Sequence, residues 1–481
     1  MIELKCLVNG ELVSASDNAV VKVTSSYDGS LVGTVPSFSK EDTVKSLEAA
    51  QAAKDEWASL TFAKRAEYVI ELADIIDKHN DELVALLTKE HGKTLPEAQG
   101  EVSVSAKFLR YAAESARRIE GEVITSELPN EHAFITRVPY GVVAGIVAWN
   151  FPLALAARKM GNALVCGNTM IVKPPSETPL TVMKYAEYIA KESSIPKGVI
   201  NFVTGSGRVC GDALVRNEIT QLVTLTGSTG AGIEVFKAAA ENVVDVHLEL
   251  GGKAPYIVMD DADIDKAASC AAIARYSNCG QICTCNERMY VHEKVYDEFK
   301  NKFIEHSKKL VVGDPTDPNT SIGPKVSKTE VKKLKEMKEK SIEQGGKIIY
   351  EMVPDKLPTE EGNWFYPTVL EVYDNKNILM QEEIFGPMVA MMKVSSLDEA
   401  IKHANDCEFG LSAYLFSDSV KSAMIATQKL EFGELYINRE NGELINGFHN
   451  GYKKSGLGGE DGKYGLEGYL QKKMVYLNYN Y

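Results

Sequence analysis

Between residues 40 and 119 apolar side chains recur every third or fourth position, most clearly in YVIELADIIDKHNDELVALLTKEHGK (68–93). That period gathers Leu and Ile on one stripe and predicts a run of amphipathic helices. From about residue 138 the pattern changes, and short β-branched runs alternate with helix-like stretches. GVVAGIVAW (141–149) precedes a helix through 154–165, and NTMIVKPP (168–175) precedes one near 181–192. GVINFVTG (198–205) leads into a short helix, and QLVTLTGS (221–228) into one near 232–242. Strands separated by single helices need crossover connections, which predict a parallel sheet of Rossmann type.

A second α/β pattern follows. VHLELGGKAPYIVMD (246–260) reads as strand and turn, DADIDKAASCAAIARYSNCG (261–280) as a helix, and ERMYVHEKVYDEF (287–299) as strand into helix. EEIFGPMVAMMKV, YLFSDS and GELYINRE supply further strands. The closing KKMVYLNYNY (472–481) reads as a strand with aromatic faces. It has few neighbours in its own vicinity and is expected to pair with a partner chain.

Composition narrows the class. With 481 residues, 44% hydrophobic and 25% charged, the chain is long enough for two or three domains with ample cores. Its net charge of −14 repels phosphate backbones, so nucleic acid is not an expected partner. The basic cluster KKLKEMKEK (332–340) alternates with Glu and reads as a solvated helix face. No window approaches the roughly 20 apolar residues of a membrane helix. The opening MIELKCLVNGELVSAS has no basic region followed by an apolar run, so a cytoplasmic location without membrane partners is expected.

Three of the eight cysteines crowd into NCGQICTCNER (278–288). Cys6, Cys166, Cys210, Cys270 and Cys407 stand alone and are expected to pack as small hydrophobes. The C-x3-C-x-C spacing lacks the fourth ligand of a zinc site, so no metal is expected. A nucleophile is the better reading for Cys283, because Gly280 and Gln281 break the preceding helix and put it at a junction where a thiolate is favoured. The base such chemistry needs is offered by Glu249 in LELGGK, ahead of two glycines that permit close approach.

Candidate phosphate turns precede it. GSGRVCG (205–211) follows a strand with spacing G-x-G-x-x-x-G, and its Gly207 is a weak nucleotide signal by itself. In TGSTGAG (226–232), Gly227 allows a tight turn, and Ser228 opens a helix whose N–H groups could hold a pyrophosphate or simply be capped. Lys173 ends NTMIVK, a cation at the carboxyl end of a parallel strand where ligands usually bind.

AWNFP (148–152), GNTMIVKPPSETP (167–179), TGSTGAG, LELGGK, GQICTCNER and EEIFGP (382–387) occur in the order seen in aldehyde dehydrogenases, and the chain resembles that family over essentially its whole length. The resemblance implies a Rossmann-type cofactor domain (1–120 and 141–248) and an α/β catalytic domain (249–459). It also implies a small β oligomerisation arm (121–140 and 460–481) that holds a homodimer or homotetramer. It implies oxidation of an aldehyde by NAD or NADP, with Cys283 as nucleophile, Asn150 and the Cys283 backbone N–H as oxyanion donors, and Glu249 as general base. Trp149, Gly207, Gly227 and Ser228 would line the dinucleotide, Lys173 and Ser176 its adenosine ribose, and Glu383 with Phe385 the nicotinamide end. A structural protein retaining this scaffold would be expected to lose nucleophile or base, and both remain.

GELYINRENGELINGFHNGYKKSGLGGEDGKYGL (433–466), ARKM (157–160) and Cys285 look like the lactaldehyde and glycolaldehyde dehydrogenase branch. There the residues matching Arg158, Glu443 and His449 lie about the substrate, and their polarity suits a short hydroxyaldehyde. Thr284 departs from the Asn expected after the nucleophile, which leaves lactaldehyde, glycolaldehyde and glyceraldehyde open. Succinate semialdehyde is a competitor, since Arg158 could receive a carboxylate. Ser176 stands where NAD-preferring relatives usually carry Glu, so NADP acceptance is expected, with Glu177 keeping NAD possible. Cys285 is a candidate redox guard of Cys283.

Overall fold

The computed structural model describes residues 1–354 and 356–479. The expected helical run is four helices, Lys40–Ser59, Phe62–Lys78, Asn80–His91 and Leu95–Ser115. Their starts are chemically marked: Ser39 and Thr61 accept N–H bonds from Asp42 and Lys64, and Thr94 forms a capping box with Glu97. Leu72, Ile76, Leu83 and Leu87 of these helices are buried in one core, which they share with the first sheet.

That sheet holds five parallel strands in the spatial order Asp245–Glu249, Leu222–Thr226, Val142–Ile146, Thr169–Lys173, Ile200–Phe202. Chain order reverses direction between Val142–Ile146 and Leu222–Thr226, the Rossmann arrangement, with a crevice beyond the strands' carboxyl ends. Two antiparallel additions lengthen it. The hairpin Cys6–Val8/Glu11–Val13 joins Ile200–Phe202, and Gly456–Leu457 joins Asp245–Glu249. A further small sheet is built from Ile2–Glu3, Leu31–Pro36 and Val20–Thr24. These short N-terminal strands escape pattern reading, because two to six residues leave too few alternations to count.

The second sheet has six parallel strands in the order Thr368–Glu371, Met388–Val394, Asn286–His292, Ala254–Val258, Ser412–Phe416, Glu434–Ile437, with Lys347–Glu351 antiparallel at its edge. Helix Lys328–Glu343 carries the basic cluster and buries only Val331, Leu334, Met337 and Ser341.

The terminal strand joins a small sheet with an earlier hairpin of its own chain. Leu470–Asn478 pairs antiparallel with Glu131–Pro139 of its own chain, and Glu122–Ile124 pairs on the far side. Among the described residues Leu470–Asn478 stands at the edge of this three-stranded sheet. The resulting arm exposes Val123 and Tyr476 at 86% and 68%.

Candidate active site

Cys283 is half-buried in a turn just before strand Asn286–His292. Helix Ile264–Tyr276 ends earlier than the spacing suggests. After it Asn278, Cys279 and Gly280 take φ of 51°, 56° and 70°. Left-handed backbone suits Asn and Gly but costs a residue such as Cys279 about 1 kcal/mol or more. The turn is held by its surroundings. Glu97 Oε1 accepts the Asn278 N–H at 2.6 Å, and Arg275 donates to the Gly280 carbonyl at 2.8 Å. The Asn278 amide donates to the carbonyls of Asn150 and Gln281 at 3.2 and 3.3 Å. Cys279 is therefore buried filler in a strained turn, and the environment of the Cys283 thiol comes from side chains rather than a helix end.

Glu249 ends its strand 3% exposed, and neither carboxyl oxygen has a hydrogen-bond partner among the described residues. His449 Nε2 lies 3.2 Å from Oε2, close enough for an ion pair but out of line for a hydrogen bond. Burial pushes the Glu249 carboxyl up to about 8 against the pull of His449. The two glycines that follow are needed for close approach. A Cβ on Gly252 would stand 2.2 Å from the Cys283 carbonyl oxygen, and one on Gly251 would stand 2.7 Å from Glu383 Oε2. Asn150, beyond strand Val142–Ile146, donates from Nδ2 to the Gln281 carbonyl at 3.1 Å and so meets the Cys283 loop.

The residues expected to hold a dinucleotide cluster at the carboxyl ends of the first sheet. Lys173 is 4% exposed, and among the described residues its ammonium donates only to the adjacent Pro174 carbonyl, at 3.2 Å; burial lowers its pKa. Ser176 is exposed beside it, and a side chain at Gly207 would meet nothing within 4 Å. Ser228 caps helix Thr229–Ala240 by accepting the Ala231 N–H at 3.3 Å, and the Gly227 N–H donates to the Glu249 carbonyl at 2.9 Å. Glu383 accepts the Gly252 N–H at 2.7 Å, with its carboxyl pushed up to about 7 by burial and by Glu287. Phe385 has a φ of 55° and meets the Trp149 ring edge-on at 5.3 Å. Its strain is locked by Glu287, which accepts the Ile384 and Phe385 N–H groups at 2.7 Å each, and by the Lys325 ammonium on its carbonyl. A buried cation short of partners, open glycines and a fixed aromatic wall suit a pyrophosphate-linked dinucleotide in this crevice.

The sequence model of the aldehyde dehydrogenase family matches residues 12–475. The chain belongs to the aldehyde dehydrogenase family. It is 43% identical to a 3,6-anhydro-alpha-L-galactose dehydrogenase of Vibrio sp. (strain EJY3), covering 98% of each chain. It is 37% identical to a D-glyceraldehyde dehydrogenase (NADP(+)) of Thermoplasma acidophilum, over 100% of this chain and 97% of the other. The crystal structure of lactaldehyde dehydrogenase from Escherichia coli superposes with a TM-score of 0.96 at 36% identity, covering 99% of both chains. The protein is thus an NAD(P)-dependent enzyme of aldehyde oxidation.

The residues expected about the substrate lie in an ionic cluster, most of it buried. Arg158 contacts Glu443 at 2.6 Å, Asp461 at 2.9 Å and Glu460 at 3.5 Å. Lys159 contacts Glu460 and donates to Thr224 Oγ1 at 2.9 Å. His449 Nδ1 lies 3.1 Å from Glu434 Oε1 and 3.8 Å from Glu443 Oε1. Burial opposes every charge here, yet His449 and Arg158 hold Glu443 down at about 2, while burial carries Asp461 up to about 7. Glu434, Glu460, Asp461 and Lys159 went unnoticed in sequence. The signal available for the last two carboxylates was the adjacent acid pair in GGED (458–461), which resembles an ordinary solvated turn. Thr284 is buried, its hydroxyl 3.5 Å from Asn441 Nδ2. Cys285 is fully buried, and burial pushes its thiol up to about 11, which disfavours the thiolate.

Proposed function

We propose that the enzyme oxidises a short 2-hydroxyaldehyde such as lactaldehyde, glycolaldehyde or glyceraldehyde to the free carboxylic acid, with NADP accepted as oxidant. The saturation of Arg158 carries this reading. A guanidinium already facing three carboxyl groups has little attraction left for the carboxylate of succinate semialdehyde, which would also meet Glu443 and Asp461. A neutral hydroxyl, by contrast, can donate to Glu443 or accept from His449. The names of the three relatives reported above each denote a 2-hydroxyaldehyde. With both classes at equal concentration, kcat/KM for the 2-hydroxyaldehydes is expected to exceed that for succinate semialdehyde by at least about tenfold, roughly one unpaired buried charge. Preference for the semialdehyde would end this reading.

In the reaction, Cys283 Sγ attacks the carbonyl carbon as its proton passes to Glu249. The oxyanion that forms is stabilised by the Asn150 amide and the Cys283 backbone N–H, each such donor being worth about 3 kcal/mol of barrier. When bound, the oxidised nicotinamide supplies the hydride acceptor. Collapse of the oxyanion then leaves a thioester on Cys283. Glu249 passes the thiol proton on to solvent and, ionised again, takes a proton from water, whose attack releases the acid and returns the thiolate.

Cofactor choice rests on Ser176. Glutamate there would repel a 2′-phosphate, whereas serine can donate to it and Lys173 attracts it. Ser176→Glu is expected to lower kcat/KM with NADP relative to NAD by about tenfold or more, one unfavourable charge contact. An unchanged cofactor ratio would remove Ser176 from the site. The exposed apolar arm supports a homodimer or homotetramer.

A further inference from the structure

The His449 ring bridges the two sheets. Its segment is anchored by backbone hydrogen bonds with Glu460, His449 N–H to the Glu460 carbonyl at 2.9 Å and the return bond at 2.7 Å. Nδ1 faces Glu434, which projects from edge strand Glu434–Ile437 of the second sheet, at 3.1 Å. Nε2 faces Glu249, at the end of a strand of the first sheet, at 3.2 Å, and the charge of the ring acts on the Cys283 thiol. A neutral imidazole has one N–H and can serve one side; an imidazolium serves both. With a carboxylate on each side, the doubly protonated ring is favoured.

We propose that His449 is a catalytic residue, the counter-ion of the Cys283 thiolate, and that Glu434 is the positioning residue that keeps its ring oriented and protonated. Glu434, His449 and Cys283 then form a carboxylate–imidazolium–thiolate row beside the base Glu249. The row acts at both ends of the cycle. It stabilises sulfur's negative charge when the thiol gives its proton to Glu249, and again when the thioester releases the thiolate. This role differs from hydrogen bonding to substrate, and it rests on Cys283 being the nucleophile. The ring is faced by Glu443 as well as Glu434 on Nδ1 and by Glu249 on Nε2, and it interacts with Cys283, while Glu460 and Asp461 are paired to Arg158 and Lys159. Burial disfavours the charged ring, and Glu443 and Glu249 more than offset it, so His449 titrates well above its ordinary range. Burial likewise raises the Cys283 thiol pKa while His449 pulls it back.

Labelling by iodoacetamide without aldehyde, followed by mass spectrometry from pH 6 to 9, tests the row apart from substrate binding. In Glu434→Gln the Cys283 rate is expected to fall about tenfold at each pH, one unit in thiol pKa, and to recover partly in Glu434→Asp. Half-buried Cys407, remote from the ring in sequence, serves as the internal standard and keeps its rate. Wild-type labelling of Cys283 in Glu434→Gln, with only the aldehyde KM raised, would overturn the proposal and leave Glu434 a substrate-pocket residue. Should Glu434→Gln fail to fold, His449→Gln and Glu434→Asp give the same comparison. If labelling Cys283 does not inactivate the enzyme, the nucleophile reading fails, whatever the rates say about the row.

Discussion

Cys283→Ala is expected to lower aldehyde oxidation by about four orders of magnitude or more, with the affinity for NADP within a factor of about two of wild type. The reason for so large an effect is that no other group can take over the covalent step. The neighbouring thiols are closed off: Cys279 is fixed in the strained turn with its thiol pushed up to about 12, and Cys285 is fully buried. Cofactor affinity should survive because Lys173, Ser176 and the Trp149–Phe385 wall belong to other elements. Titration of the variant with NADP by fluorescence, alongside steady-state rates, reads both outcomes. Activity retained within tenfold would exclude the covalent route.

Glu249→Gln should separate the two halves of the cycle. The amide cannot take a proton from water, so thioester hydrolysis is expected to slow by about a hundredfold to ten-thousandfold, the usual range for a positioned base. The first turnover needs a single proton acceptor, which bulk solvent can replace more readily than it can replace an oriented base. Rapid mixing should therefore show a burst of reduced cofactor approaching one per site, followed by a slow steady rate. Loss of the burst together with the steady rate would show that solvent cannot replace Glu249 as acceptor of the thiol proton. Wild-type pH dependence follows with its sign. Burial raises the Glu249 pKa to about 8, so the carboxyl is protonated and inactive as a base below that pH and ionised above it. The kcat profile is expected to climb with pH through the region near 8, and a profile flat from 6 to 9 would contradict the assignment.

The parts that the sequence by itself determined are those encoded by local period and short-range chemistry. A 3.6-residue period in 68–93 and period-breaking strands from 138 onward suffice for the helices and the alternating α/β pattern, because helix and strand patterns are set within ten or so residues. The glycine pair after Glu249, the strand-ending Lys173 and the cysteine crowd were likewise visible as unusual residues at unusual places. What tertiary structure decided is everything that depends on which strand lies beside which. Strand order placed the reversal between Val142–Ile146 and Leu222–Thr226, and so brought Asn150 and the Cys283 loop together from 131 residues apart, counting between Asn150 and Gln281. It turned the terminal strand back onto Glu131–Pro139 of the same chain. It also gathered Glu443, Glu460 and Asp461 around Arg158 and set His449 against Glu434, converting an acid pair in GGED that resembles a solvated turn into part of a cluster in which each charge is set by the next. The physical reason is that a carboxylate's behaviour is fixed by burial and neighbouring charge, and neither is written in the residues on either side of it.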